Sequence, residues 1–243
     1  MVLIIDIGNT AIKLAVLKQD DVLWHKRCQS ENFLESLTEV HDLYPSVTDA
    51  ALCQVGSFDD QLKLELNRRF KVFEISTQTK LPFTNHYRSK TLGNDRIALV
   101  AGALNRIDQS EPILIIDAGT CVTYDFINEF KEYHGGAISP GLRLRYESLH
   151  NYTANLPLLK TVKPSDIVGN TTEDAIHSGV LNGLQLEIKG FIKSYRKQNK
   201  NLNVFITGGD AEVLSTRLKN RFFATPFLML HGIYNLYSYN KNL

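Results

Sequence analysis

The 243-residue chain has only three cysteines, Cys28, Cys53 and Cys121. They are odd in number, widely spaced and form no Cys-x-x-Cys pair, so neither a disulfide framework nor a zinc site organises the fold. No uninterrupted apolar stretch approaches the length of a membrane span. The N-terminus opens directly on a strand-like run, without the basic segment and cleavage site of a secretory signal. Neither sign of charge is in excess: 27 Lys and Arg stand against 26 Asp and Glu, for a net charge of +1. That balance gives no support for nucleic acid or a membrane surface as the main partner. A Walker A loop and the GxGxxG dinucleotide fingerprint are both absent, so a bound nucleotide must be held by other means. These absences leave a soluble protein of a reducing, cytoplasmic compartment. A hydrophobic content of 43% against 22% charged residues predicts a packed core. The length suits one large domain or two of average size.

What is present is a repeat. Leu3-Ile4-Ile5-Asp6-Ile7-Gly8-Asn9-Thr10 opens the chain, and Leu114-Ile115-Ile116-Asp117-Ala118-Gly119-Thr120 returns near its midpoint. Each is a continuous apolar run that ends in one carboxylate, then Gly and Thr. Such a run reads as a strand buried on both faces, with Asp at the C-terminal end, where open α/β sheets bind ligands. Gly lets backbone N–H groups approach an anion, and Thr adds a hydroxyl donor. One Asp at a strand end is as easily a turn residue. The repetition of the whole Asp-x-Gly context argues for a duplicated phosphate site, with two α/β domains facing each other across a cleft. The two carboxylates could hold Mg²⁺ directly or through waters.

Each half starts with a strand and its hairpin partner, then alternates helices and strands. In the first half, the pattern predicts a hairpin about residues 18–21, helices over 32–43 and 59–70, strands over 50–55 and 71–75, and a helix that begins near Gly93. In the second half it predicts strands over 113–118, 121–127, 133–139 and 204–207. Helices are expected over 142–149, 172–191 and 227–239. Ile176, Val180, Leu184 and Ile188 form one apolar face of the helix over 172–191 and need burial, either against a second subunit or as the domain's own core. The domains are drawn as 1–111 and 112–243.

Four segments together resemble the type III pantothenate kinases, a family of the acetate-kinase, sugar-kinase, Hsp70 and actin superfamily of duplicated ribonuclease-H-like domains. They are Asp6-Ile7-Gly8-Asn9-Thr10 with Lys13, Gly93-Asn94-Asp95-Arg96, Asp117-Ala118-Gly119-Thr120 and Thr207-Gly208-Gly209-Asp210. Gly-x-Asp-Arg is the motif that singles out the family within the superfamily. The resemblance implies ATP-dependent phosphorylation of pantothenate, the first step of coenzyme A synthesis, in a homodimer. It implies that Asp6, Ile7, Gly8, Asn9, Thr10, Ala11, Ile12, Lys13 and Thr120 bind ATP. It implies Mg²⁺ with the ATP, and K⁺ or NH₄⁺ on Asp117. Gly93, Asn94, Asp95 and Arg96 would bind pantothenate, with Asp95 as proton acceptor. Thr172 would reach the pocket of the neighbouring subunit. Tyr87 stands roughly at the place of the substrate tyrosine, His86 being the other candidate.

The residue chemistry fits that role. Phosphoryl transfer asks chiefly for positioning and for stabilisation of spread negative charge. A carboxylate at a helix start is favoured in its ionised form by the helix dipole. Arg offers a planar fork for a carboxylate such as that of pantothenate. Outside that context Asp95-Arg96 would read as a solvated Asp and a surface Arg at a helix start, and Thr171 and Thr172 as plain N-caps. The competing reading is a non-catalytic, nucleotide-binding transcriptional accessory protein of the same fold, which should have lost Asp95 or one of the two repeated aspartates.

Overall fold

A computed structural model describes residues 1–89, 91–107, 111–164, 166–215 and 223–242. The chain divides into two compact units. Unit 1 is Met1–Asp108 with Phe227–Leu243, and unit 2 is Gln109–Pro226.

Unit 1 begins with β1 (Val2–Ile7), β2 (Ile12–Lys18) and β3 (Asp21–Cys28), followed by α1 (Phe33–Leu43), β4 (Asp49–Gln54), α2 (Asp60–Arg69), β5 (Lys71–Glu74), the two-residue β6 (Thr84–Asn85) and α3 (Asn94–Leu104). The sheet order is β3-β2-β1-β4-β5. β1 runs antiparallel to β2 and parallel to β4, and β5 is parallel to β4. The turn between β2 and β3 uses Gln19 at φ 56°, the left-handed region that tight hairpin turns require. All six residues of β1 are buried, as a run covered on both faces must be. Leu3, Ile5 and Ile7 pack with Phe33, Leu37 and Val40 of α1 and with Leu66 of α2. The opposite face is covered by α3 and by the last helix of the chain.

Unit 2 repeats the plan with β7 (Ile113–Ala118), β8 (Cys121–Ile127), β9 (Glu132–Pro140), α4 (Leu142–Asn151), α5 (Thr172–His177), a π-helical turn at Ser178–Asn182, α6 (Gly183–Gln198), β10 (Asn203–Thr207), α7 (Ala211–Ser215) and β11 (Phe223–Ala224). Within this unit the strand order is β11-β10-β7-β8-β9. β7 is antiparallel to β8 and parallel to β10, as β1 is to β2 and β4. The repeat in the sequence is therefore a repeat of topology, strand for strand.

The chain then returns to unit 1 as α8 (Leu228–Lys241), which packs on α3 and reaches β1 and β4. Two glycines set how closely the helices approach. A Cβ on Gly232 would lie 1.8 Å from the Ala98 carbonyl oxygen, and one on Gly102 would lie 2.5 Å from that of Leu228. Only hydrogen fits at either position.

The segment expected as one helix over 172–191 is α5, the π turn and α6, and it runs on to Gln198. The apolar stripe is also corrected. Ile176, Val180, Leu184 and Ile188 are buried among Leu114, Ile116, Tyr124 and Ile206 of the same unit. The stripe is unit 2's own core and makes no demand for a second chain. α5 is capped by Thr171, whose hydroxyl accepts from the Asp174 N–H at 3.1 Å. Thr172 is the first helical residue and is exposed.

Candidate functional site

In unit 1 the first Asp-x-Gly segment forms the end of β1 and its turn into β2. Asp6 is 3% exposed, and its cross-strand partner is Lys13. The Lys13 ammonium donates to Asp6 Oδ2 at 2.9 Å. A carboxylate this deep needs such a partner. Lys13 itself is half exposed, so one positive charge is held at the rim over the turn. The Gly8 N–H closes the turn on the Ala11 carbonyl at 3.3 Å, and Asn9 and Thr10 project at its tip, exposed. The turn rests on the end of β4. The N–H groups of Val55 and Gly56 both donate to the Ile7 carbonyl, at 3.0 and 3.1 Å. A Cβ on Gly56 would stand 2.5 Å from the Gly8 carbonyl oxygen.

Unit 2 builds the same device around Asp117. The Asp210 N–H donates to the Ala118 carbonyl at 3.0 Å, and Ala118 occupies the place that Ile7 has in the first repeat. Gly208, after β10, has φ +97°. A Cβ there would lie 2.2 Å from the Ala118 carbonyl oxygen and 2.5 Å from Asp117 Oδ1. In the sequence Gly56 follows the expected strand over 50–55 with nothing else to mark it. Its position after the parallel neighbour of β1, matching Gly208 after the parallel neighbour of β7, was the available signal for a supporting role. Gly141 supports the second turn from the other side: its N–H donates to the Thr120 carbonyl at 3.0 Å, and a Cβ would strike the Gly119 carbonyl oxygen at 2.1 Å. Burial raises the pKa of Asp210 above the usual carboxylate value.

The Gly93–Arg96 segment is the N-terminus of α3, with Gly93 as N-cap. The Asp95 carboxylate accepts from the Arg96 N–H at 2.8 Å. Arg96 is 6% exposed, so the reading of a surface arginine does not hold. Its guanidinium lies over the Tyr87 ring, 5.2 Å from the centroid, a contact worth ~0.5–1 kcal/mol at exposed sites and ~2 or more when desolvated. Tyr87 is thereby held beside the Gly93–Arg96 segment. Cys53, fully buried in β4, ties this segment to the first turn. Burial pushes its thiol well up, the negative charges of Asp6 and Asp95 push it further, and Lys13 opposes them. The end of β4 also meets the start of α3, where the Asn94 amide donates to the Gln54 carbonyl at 3.3 Å.

Among the described residues no three His, Cys, Asp or Glu side chains cluster as a cage for a metal ion. At Asp117, Gly208 brings its backbone so close to the carboxylate that a Cβ would lie 2.5 Å from Oδ1. Mg²⁺ held mainly by polyphosphate oxygens and water asks for one or two carboxylates.

Comparisons with known proteins identify the family. A family model described as type III pantothenate kinase matches residues 2–194. A type III pantothenate kinase of Flavobacterium psychrophilum is 44% identical over 99% of this chain and 100% of its own. Among solved structures, a Campylobacter jejuni protein assigned to the Baf family of transcriptional activators superposes with a TM-score of 0.65. It is 23% identical and covers 99% of this chain and 100% of that one. A Listeria monocytogenes protein assigned as an N-acetylmannosamine kinase superposes with a TM-score of 0.54 at 14% identity, covering 98% and 99%. At those identities the two structures speak for the fold alone: duplicated actin-like, sugar-kinase-like α/β units. The family match and the full-length relative, both carried by a chain that keeps Asp6, Asp95 and Asp117, lead to one conclusion: this chain belongs to the type III pantothenate kinase family.

Proposed function

We propose that this protein transfers the γ-phosphoryl group of ATP to the primary hydroxyl of pantothenate, giving 4′-phosphopantothenate in the first step toward coenzyme A. The observation that carries the reading is that the end of β4 holds both parts of the site: the Val55 and Gly56 N–H groups bond the Ile7 carbonyl of the glycine turn at 3.0 and 3.1 Å, and the Gln54 carbonyl accepts from the Asn94 amide at the start of α3 at 3.3 Å. It sets a candidate proton acceptor beside a glycine turn suited to phosphate. Residues Asp6 to Lys13 and Thr120 hold the nucleotide. Mg²⁺ bound with ATP would offset the charge of its phosphates, and Asp6 and Asp117 are the carboxylates assigned to hold it directly or through water. Asp95 orients the hydroxyl and takes its proton as the bond to phosphorus forms. Arg96, held over Tyr87, meets the pantothenate carboxylate, and Gly93 lets the substrate approach the backbone. Asp117 holds K⁺ or NH₄⁺. The enzyme works in the cytoplasm, with ATP as its donor. The transcriptional reading finds no support in the site, which keeps both repeated aspartates and Asp95.

A coupled ADP-release assay tests this. ADP should appear only when pantothenate and MgATP are both present. The rate should be low in Na⁺ buffer and rise with K⁺ or NH₄⁺, and Asp117→Asn should blunt that rise. Pantothenate-independent ADP release would sink the substrate assignment, and cation-independent turnover the role of Asp117.

The active unit in this reading is a homodimer in which Thr172 completes the pantothenate pocket of the partner subunit. With the stripe of α5 and α6 accounted for inside unit 2, two supports remain. One is the family resemblance. The other is the segment leading to Thr172, where Tyr152, Leu158, Val162, Ile167 and Val168 are each 56–88% exposed. Apolar side chains gathered like this on one stretch mark an interaction surface. Asp95→Asn and Thr172→Arg chains, each inactive alone, should recover activity when co-assembled, because each heterodimer then holds one intact site. A monomeric active enzyme in sedimentation, or silent verified heterodimers, would refute the shared pocket.

A further inference from the structure

The amide of Asn94 makes an unusual pair of contacts for a residue assigned to substrate. Its nitrogen donates to the Gln54 carbonyl at 3.3 Å and to the Ile75 carbonyl at 3.0 Å. Gln54 is the last residue of β4, and Ile75 follows the last residue of β5. The two strands share a parallel ladder from Asp49↔Lys71 to Leu52↔Glu74, and the Ile75 N–H continues it to the Leu52 carbonyl at 2.9 Å. Past that rung, both strands present carbonyl oxygens to the same side-chain amide. Asn94 thus takes over where the ladder stops.

The position of Asn94 gives these bonds their consequence. It is the first residue of α3, between the N-cap Gly93 and Asp95. Gly93 has no side chain to cap the helix, and the Asn94 amide ties the helix start to β4 and β5. We infer that Asn94 is a positioning residue, a clamp that joins the first turn of α3 to the ends of β4 and β5 and so fixes the Asp95 carboxylate relative to the glycine turn of Asp6 to Lys13. Both hydrogens of the amide are committed to the protein. The residue acts on substrate through Asp95, and its own contact with pantothenate is not required. The inference rests on the assignment of Asp95 as proton acceptor made above.

The choice of Asn follows from geometry. Two carbonyl oxygens on adjacent strands need two N–H donors from one short, planar group, and Asn supplies them from a single nitrogen. Ser can serve one carbonyl. Ala serves none. Asp has the shape of Asn but brings an anionic oxygen toward two carbonyl oxygens. A misplacement of about 1 Å at a reacting group can cost ~10²-fold in rate.

The test is a series at this position, measured in the ADP-release assay with ATP and pantothenate varied separately. The expected order of kcat is wild type, Asn94→Ser, Asn94→Ala, Asn94→Asp, with Ala ~10–100-fold down and Ser between wild type and Ala. KM for pantothenate and for ATP should stay within about twofold across Ser and Ala, since neither contact is removed. A rise in pantothenate KM at unchanged kcat would mean that Asn94 binds substrate directly and would overturn the clamp. Wild-type kinetics in Asn94→Ala would overturn it as well. Ser retains one donor and the fold, so the order of Ser and Ala decides the matter even if Asp fails to accumulate. Absence of pantothenate-dependent turnover in the wild type would instead refute the underlying assignment, a separable result.

Discussion

Asn in place of Asp95 should lower kcat by ~10²–10⁴-fold, the usual contribution of a positioned general base. The change is isosteric. The amide oxygen can still accept from the Arg96 N–H, which the carboxylate now does at 2.8 Å, so the first turn of α3 should survive. What is lost is the capacity to take a proton from the substrate hydroxyl. KM for ATP should hold, because the nucleotide segment Asp6 to Lys13 is untouched. The melting temperature should stay within a few degrees of wild type. Purified Asp95→Asn enzyme with near-normal kcat would remove Asp95 from the proton-transfer step.

Ala in place of Gly208 should cost ~2–6 kcal/mol of stability, from a strained positive φ (~1–3) and overpacking (~1–3) together. The φ of +97° excludes an unstrained L residue, and the new methyl would meet the Ala118 carbonyl at 2.2 Å. Backbone cannot yield there as a flexible side chain would, since the same carbonyl already receives the Asp210 N–H. The methyl would also sit 2.5 Å from Asp117 Oδ1 and push the carboxylate from its place, so stimulation by K⁺ should fall with stability. Gly209→Ala is the control, because nothing lies within 4 Å of a Cβ there. Urea unfolding of both variants, with rates in Na⁺ and K⁺, measures the two effects. Equal midpoints and equal K⁺ stimulation in the two variants would show that the crowding at Gly208 has no consequence.

The duplicated plan was legible because it is written locally. An apolar run, one Asp and a Gly are enough to specify a buried strand and its turn, and the two runs differ little. The helix starts at Asn94 and Thr172 were legible for the same reason. Three features were not. Asn94 bonds to carbonyls at Gln54 and Ile75, a relation that no period or spacing encodes. The stripe from Ile176 to Ile188 shows an apolar face but not its neighbour, and burial inside one unit leaves the same pattern as burial against a partner. The side on which α8 packs is fixed by Gly102 and Gly232, which in sequence are two unremarked glycines inside helical patterns.

The return of α8 also has a bearing on synthesis. Unit 2 is continuous along the chain, whereas unit 1 is completed by residues that follow it. As the polypeptide emerges from the ribosome, unit 2 can fold as soon as its own residues are out. The sheet of unit 1 must wait with the buried side of α3 and β1 uncovered until Leu228–Lys241 arrives. Domains generally fold as units during translation, and uncovered apolar surface invites aggregation in the interval. The helix that carries Asp95 is therefore the last part of the molecule to be locked. A nascent chain stalled before α8 would hold every motif of the candidate site and still lack the layer that packs on the helix of Asp95.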